Sequence, residues 1–153
     1  MATPDARHDR LQRFCGSWLG TVRVPPNPQM PNGMTAESRA DTTRELGGWF
    51  VLMNYEQRQP GGNVYTARGV IGYDDEQSRY IFYWFDSEGW NPGAPGVGQW
   101  EGDRIAFEHR SSAGHSRMTF DFSGDDGYEF WMDVSQDGQQ WSRLMEESFR
   151  PAG

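Results

Sequence analysis

His109 is the most chemically suggestive residue of this 153-residue chain. It follows Ile105 and Phe107 at alternate positions, so all three point the same way from one strand. An inward imidazole titrates near neutrality and suits a general base. The plainer reading is a buried histidine satisfied by a tyrosine or a backbone carbonyl. Asp86 ends another strand, on the face of Phe82 and Trp84. There a carboxylate can act as an acid, anchor a ligand hydroxyl, or cap the loop that follows. Which face of this strand points inward stays open at this stage. Tyr55 closes a third strand, where its hydroxyl can hydrogen-bond into an interior. Arg143, spaced to share a face with Trp141 and Met145, is suited to an acidic ligand group. Equally, it can lie along a rim with its stem on apolar surface. Glu147 continues the Arg143 face more deeply and is expected to pair with an arginine inside, in a structural role.

Met118, Met132 and Met145 fall on apolar faces, where thioethers adapt to irregular shapes. The ligand-facing set is therefore Tyr55, Trp84, Trp90, His109, Met118, Met132 and Arg143, and the acid/base candidates are His109 and Asp86. His109 and His115 are two possible zinc ligands, with Asp86 or Glu108 as a third. Nothing fixes that spacing, and no metal is expected.

Several chemistries are excluded by residue type. All 14 basic residues are arginine. Without lysine there is no Schiff base, no pyridoxal-phosphate attachment and no phosphate-loop lysine. Gly-x-Ser-x-Gly, Gly-x-Gly-x-x-Gly and His-Glu-x-x-His are also absent. Cys15 stands alone, follows a helix-like segment and is assigned to the core rather than to nucleophilic chemistry. The formal charge is −8, which lacks the basic footprint of nucleic-acid binding. No apolar run is long enough to span a membrane as a helix, and Met1 to Arg13 lacks the apolar core of a signal peptide. The expectation is a cytoplasmic protein with no nucleic-acid or membrane partner.

The elements that position these residues are mostly strands. One short helix is expected at the front, capped by Thr3 with Pro4 in its first turn and Leu11, Phe14 and Cys15 on one face. After Gly16 the apolar period becomes two, with turn residues every 8–14 positions. Ten strands are expected, at 17–24, 34–45, 49–58, 64–73, 79–86, 97–101, 104–110, 116–123, 128–135 and 141–149. Gly47-Gly48, Gly102-Asp103, 124–127 and Asp137-Gly138 read as tight turns. No connection holds a crossover helix, so neighbours should pair antiparallel. Strands 49–58 and 79–86 are apolar on both faces. Their outer sides need cover or a second copy of the chain, so a homodimer is one expectation.

In an up-and-down barrel, alternate connections lie at opposite ends. The segments 25–33, 59–63, 87–96, 111–115 and 136–140 then share one end, and both long Pro/Gly-rich loops are among them. The other end is short and acidic, and the helix enters there. The predicted domain is thus 1–153, with 1–15 plugging the closed end and a ligand site at the open one.

Gly16-Ser17-Trp18-Leu19-Gly20 opens the first strand, and Arg150 lies at the end of the last. Gly47-Gly48, Gly72-Tyr73-Asp74, Trp84-Phe85-Asp86-Ser87 and Leu144-Met145-Glu146 extend the pattern. Together they resemble a bacterial lipocalin-like (calycin) family. The resemblance implies an all-β calycin barrel and a stacking contact between Trp18 and Arg150; it implies no particular activity. Haem-binding nitrobindin-like barrels are more distantly similar. Val22 replaces their third glycine and strand 141–149 has no histidine for an axial ligand, so no haem or other cofactor is expected. The reading is a barrel that binds a small, mostly apolar molecule. The alternatives are an enzyme doing acid/base cyclisation or isomerisation in the same pocket, and a structural or dimerising protein without a ligand.

Overall fold

In the computed structural model, which describes residues 2–153, ten antiparallel strands close into a barrel. The strands are β1 (Gly16–Val24), β2 (Met34–Glu45), β3 (Phe50–Arg58), β4 (Val64–Asp74), β5 (Arg79–Asp86), β6 (Gly96–Glu101), β7 (Arg104–Ser111), β8 (Gly114–Asp121), β9 (Tyr128–Ser135) and β10 (Ser142–Pro151). Each pairs with its sequence neighbours, and β1 closes the cylinder by pairing β10 as well as β2. This meets the expectation of an up-and-down all-β barrel.

Alternation decides the faces. Val51, Met53, Tyr55 and Gln57 are buried from β3, and Tyr80 and Phe82 from β5, so Trp84 and Asp86 share the inward side. The outward set of β5 includes Tyr83 and Phe85, whose rings stack 6.3 Å apart at 7°. That settles which way each two-sided apolar strand faces.

The front segment differs in its start. Asp5, not Thr3, caps the helix α1 (Ala6–Asp9), which tightens into a 3₁₀ turn over Arg10–Phe14. The Asp5 carboxylate accepts the Arg7 amide, and His8 Nδ1 accepts the Asp5 amide, which completes a capping box. Leu11 and Phe14 are buried, and Cys15 is half-buried. Phe14 meets Phe120 and Phe122 edge-on at 5.0 and 4.9 Å, which sets the segment across the end where β8 finishes. The Tyr80 hydroxyl donates to the Arg7 carbonyl at 2.7 Å, and Arg44 pairs with Asp9 at 2.8 Å.

Trp18 and Arg150 do not stack. Trp18 meets the edge of Tyr128 at 5.1 Å and donates its indole N–H to the Phe14 carbonyl, while Arg150 stays exposed. Trp18 faces inward opposite Pro151, and Arg150 pairs with Leu19 on the other side of the pleat. The cations that cover aromatics at this end come from the helix: Arg10 lies over Trp100 at 4.7 Å and Arg13 over Phe122 at 5.3 Å.

β8 also starts and ends two residues earlier than the pattern indicated. Beyond Asp121, the Phe122 amide still donates to the Asp103 carbonyl at 2.9 Å, in register with the β7–β8 pairing. Among the described residues, no helix is long and apolar enough to cross a membrane.

Candidate functional site

Ten strands give a wider cylinder than eight, which leaves room inside for more than side chains. The interior holds a cavity of about 1380 Å³ that opens at the end opposite the helix. Its mouth is built by the loops after β1, β3, β5, β7 and β9, through Asn27 and Met30, Gln59, Trp90 and Pro92, Ala113, and Gln140. Its walls are mostly aromatic and thioether groups, including Met53, Phe82, Met118, Phe120, Phe130, Met132 and Met145.

Of the residues proposed from sequence, Tyr55, Trp84, Trp90, His109, Met118 and Met132 line this cavity. Arg143 does not. Its guanidinium donates to Asp133 at 2.7 Å and covers the outer Trp131 ring at 5.3 Å. A bulge explains the difference. Arg143 pairs with Asp133, whereas Met145 pairs with Met132, so Leu144 is an inserted residue. Two residues that alternation would put on one face thus lie on opposite faces.

Two candidates hold the long loop at 87–95. Asp86 Oδ1 accepts the amides of Glu88 and Trp90 at 3.0 and 3.1 Å. Its Oδ2 accepts the Tyr65 hydroxyl at 2.8 Å, and Tyr65 in turn accepts the Trp84 indole N–H at 3.0 Å. Burial, opposed by the Trp84 contact and reinforced by the nearby Asp86 charge, pushes the Tyr65 phenol well up. His109 Nε2 lies 3.0 Å from the Pro92 carbonyl, and Trp90 meets the imidazole edge at 6.0 Å. A carbonyl only accepts, so Nε2 carries the hydrogen. Both residues therefore latch the loop over the mouth. His115 lines the same rim, and its buried Nδ1 has no hydrogen-bond partner. Among the described residues, no three His, Cys, Asp or Glu side chains come together as a metal site.

The most buried carboxylate that lines the cavity is one that sequence reasoning assigned to structure. Glu147 is 3% exposed and lines the cavity. Among the described residues, no arginine reaches it. Its Oε2 accepts the hydroxyls of Ser38 and Tyr55, the latter at 2.9 Å, and Tyr55 also lies 3.1 Å from Oε1. Gln57 donates to the Tyr55 oxygen at 3.0 Å. Burial raises the Glu147 carboxyl to about 7, and the two hydroxyl donors hold it from going higher. Burial and the adjacent Glu147 charge push the Tyr55 phenol well above its ordinary range.

Gly20 makes this cluster possible. A Cβ there would stand 2.8 Å from Glu147 Oε2 and closer still to Ser38 Oγ. The second glycine of Gly-x-Trp-x-Gly is thus a space for a buried carboxylate. Inward alternation of Ser38 on β2 and Glu147 on β10 was the signal available in the sequence. The missing step was that both strands flank β1 at Gly20.

A closed barrel with one end covered by a helix and the other open to a large apolar interior defines a cavity-bearing antiparallel barrel. Within that class, the chain belongs to the family described as Protein of unknown function (DUF1579), whose profile matches residues 3–150. No curated protein matches the chain. Among solved structures it is similar to the S-type phycobiliprotein lyase CPES from Guillardia theta. The identity is 13% and the TM-score 0.71, with 97% of this chain and 94% of that one covered. It is also similar to Rv2717c from M. tuberculosis, at 12% identity and a TM-score of 0.67, covering 97% and 99%. At these identities the likeness is one of fold.

Proposed function

We propose that this is a lipocalin-like barrel that binds a small, mostly apolar molecule inside its cavity. The observation that carries the reading is the cavity itself. Its volume of about 1380 Å³ exceeds the roughly 300–1,000 Å³ common for ligand pockets. An apolar interior of that size is costly to leave in contact with water, and a ligand body relieves the cost. Methionines at 53, 118, 132 and 145 suit a site that must fit an irregular shape. The loop held by Asp86 and His109 then serves as a fixed rim that carries Trp90 over the entrance.

The test is fluorescence titration with a neutral apolar probe, 9-methylanthracene. Saturable binding is expected, with an affinity changed at least threefold by Met118→Trp, which reshapes the cavity wall. Native mass spectrometry of the purified protein gives a second readout, a bound small molecule released on unfolding. Absence of saturable binding, or binding unaffected by Met118→Trp, would remove the proposal.

A further inference from the structure

The cavity is one-sided in charge. Its lining includes Asp86, Glu88, Asp137 and Glu147 but, among the described residues, no arginine. Three of these four belong to the rim. Asp86 is taken up by loop amides and Tyr65, and Asp137 by the amides of Gln139 and Gln140. Glu88 lies in the same loop as Trp90. Glu147 alone is deep.

Glu147 also has acceptor capacity to spare. A carboxylate offers about four lone-pair positions. Ser38 and Tyr55 are two donors, and both hydrogen-bond mainly to Oε2. Oε1 has only the longer, shared contact to Tyr55. A second observation comes from the same interior. Tyr128 is 2% exposed and lines the cavity, and its hydroxyl has no hydrogen-bond partner. Buried polar atoms are rarely left so, and this one stands ready for a ligand or a water.

We infer that the barrel selects an apolar molecule carrying one basic nitrogen, an aromatic or long-chain amine whose N–H donates to Glu147. This rests on the cavity reading above. An ammonium supplies the countercharge that no arginine provides, and it forms a charge-assisted hydrogen bond in a water-poor site. The apolar body fills the space between the methionines and Phe82, Phe120 and Phe130. The same lining disfavours an anionic ligand, because a carboxylate brought to this depth would meet Glu147 without a cation between them.

Three anthracenes that differ at one substituent separate the possibilities at pH 8: 9-(aminomethyl)anthracene, 9-methylanthracene and anthracene-9-carboxylate. Binding is read by probe fluorescence against the wild-type chain, Glu147→Gln and Tyr55→Phe. The wild-type chain should bind the amine at least tenfold tighter than the neutral probe, and the carboxylate most weakly. Glu147→Gln should cut the amine advantage below threefold while the neutral probe is unchanged. Tyr55→Phe, which keeps the carboxylate, should retain the advantage. If the wild-type chain binds the neutral probe and shows no preference for the amine, this inference fails and the cavity reading stands. An equal amine preference in Glu147→Gln would also overturn it, since the nitrogen would be held elsewhere. If no probe binds, both fall.

Discussion

The Tyr55 hydroxyl lies 2.9 Å from Glu147 Oε2, although β3 and β10 are separated in the sheet by β2 and β1. The bond runs across the curved interior and ties three strands together through Ser38 on β2. Among the described residues, only neutral donors hold this buried carboxylate in place.

That arrangement makes stability depend on pH. The folded Glu147 carboxyl titrates at about 7, against an ordinary value of 4.5. Between those values the native state binds more protons than the unfolded chain. The contribution of this group therefore falls as pH rises through the window and stays low above it. In urea denaturation, the stability of Glu147→Gln relative to wild type should rise by about 2–3 kcal/mol from pH 4 to pH 8. A difference that is flat across that range would contradict the buried, arginine-free setting.

Gly20→Ala should be destabilising by about 1–3 kcal/mol, as over-packing typically is. The added methyl meets Ser38, Glu147 and the Phe149 ring. Urea midpoints decide this, and an alanine variant as stable as wild type would show that the cluster moves aside freely.

Asp86→Ala should free the loop over the mouth. It removes the acceptor for the Glu88 and Trp90 amides. Hydrogen exchange at those two amides should accelerate about tenfold, matching the roughly 0.5–1.5 kcal/mol of a typical hydrogen bond. Unchanged exchange would mean that the loop is held by other contacts.

Arg143→Ala and Arg150→Ala should both leave probe binding unchanged. Arg143 makes a surface ion pair with Asp133, worth about 0–1 kcal/mol, and Arg150 is exposed at the other end. A tenfold loss of affinity in Arg143→Ala would bring that residue back into the site.

Phe14→Ala should cost about 3–5 kcal/mol, because its fully buried ring contacts Trp100, Phe120 and Phe122 beneath the cavity. Thermal or urea unfolding checks this, and a cost below 1 kcal/mol would show that the helix is a loose appendage.

Much of this molecule was legible one residue at a time. Period-two alternation and glycine turns are local, so β2, β5 and β9 came out with the bounds the structure shows. Loop parity is nearly local too, since antiparallel neighbours reverse direction at each turn. It placed Asn27, Trp90 and Gln140 at one mouth. What local pattern could not supply was anything that depends on a partner strand. One inserted residue, Leu144, turned Arg143 outward, because a bulge is defined by what stands opposite. Ser38, Tyr55 and Glu147 are far apart in the chain, and their meeting required barrel closure plus the empty space at Gly20. Residue type and spacing set the strands and the open end. The chemistry around Glu147 arises from closure, which is a property of the whole sheet.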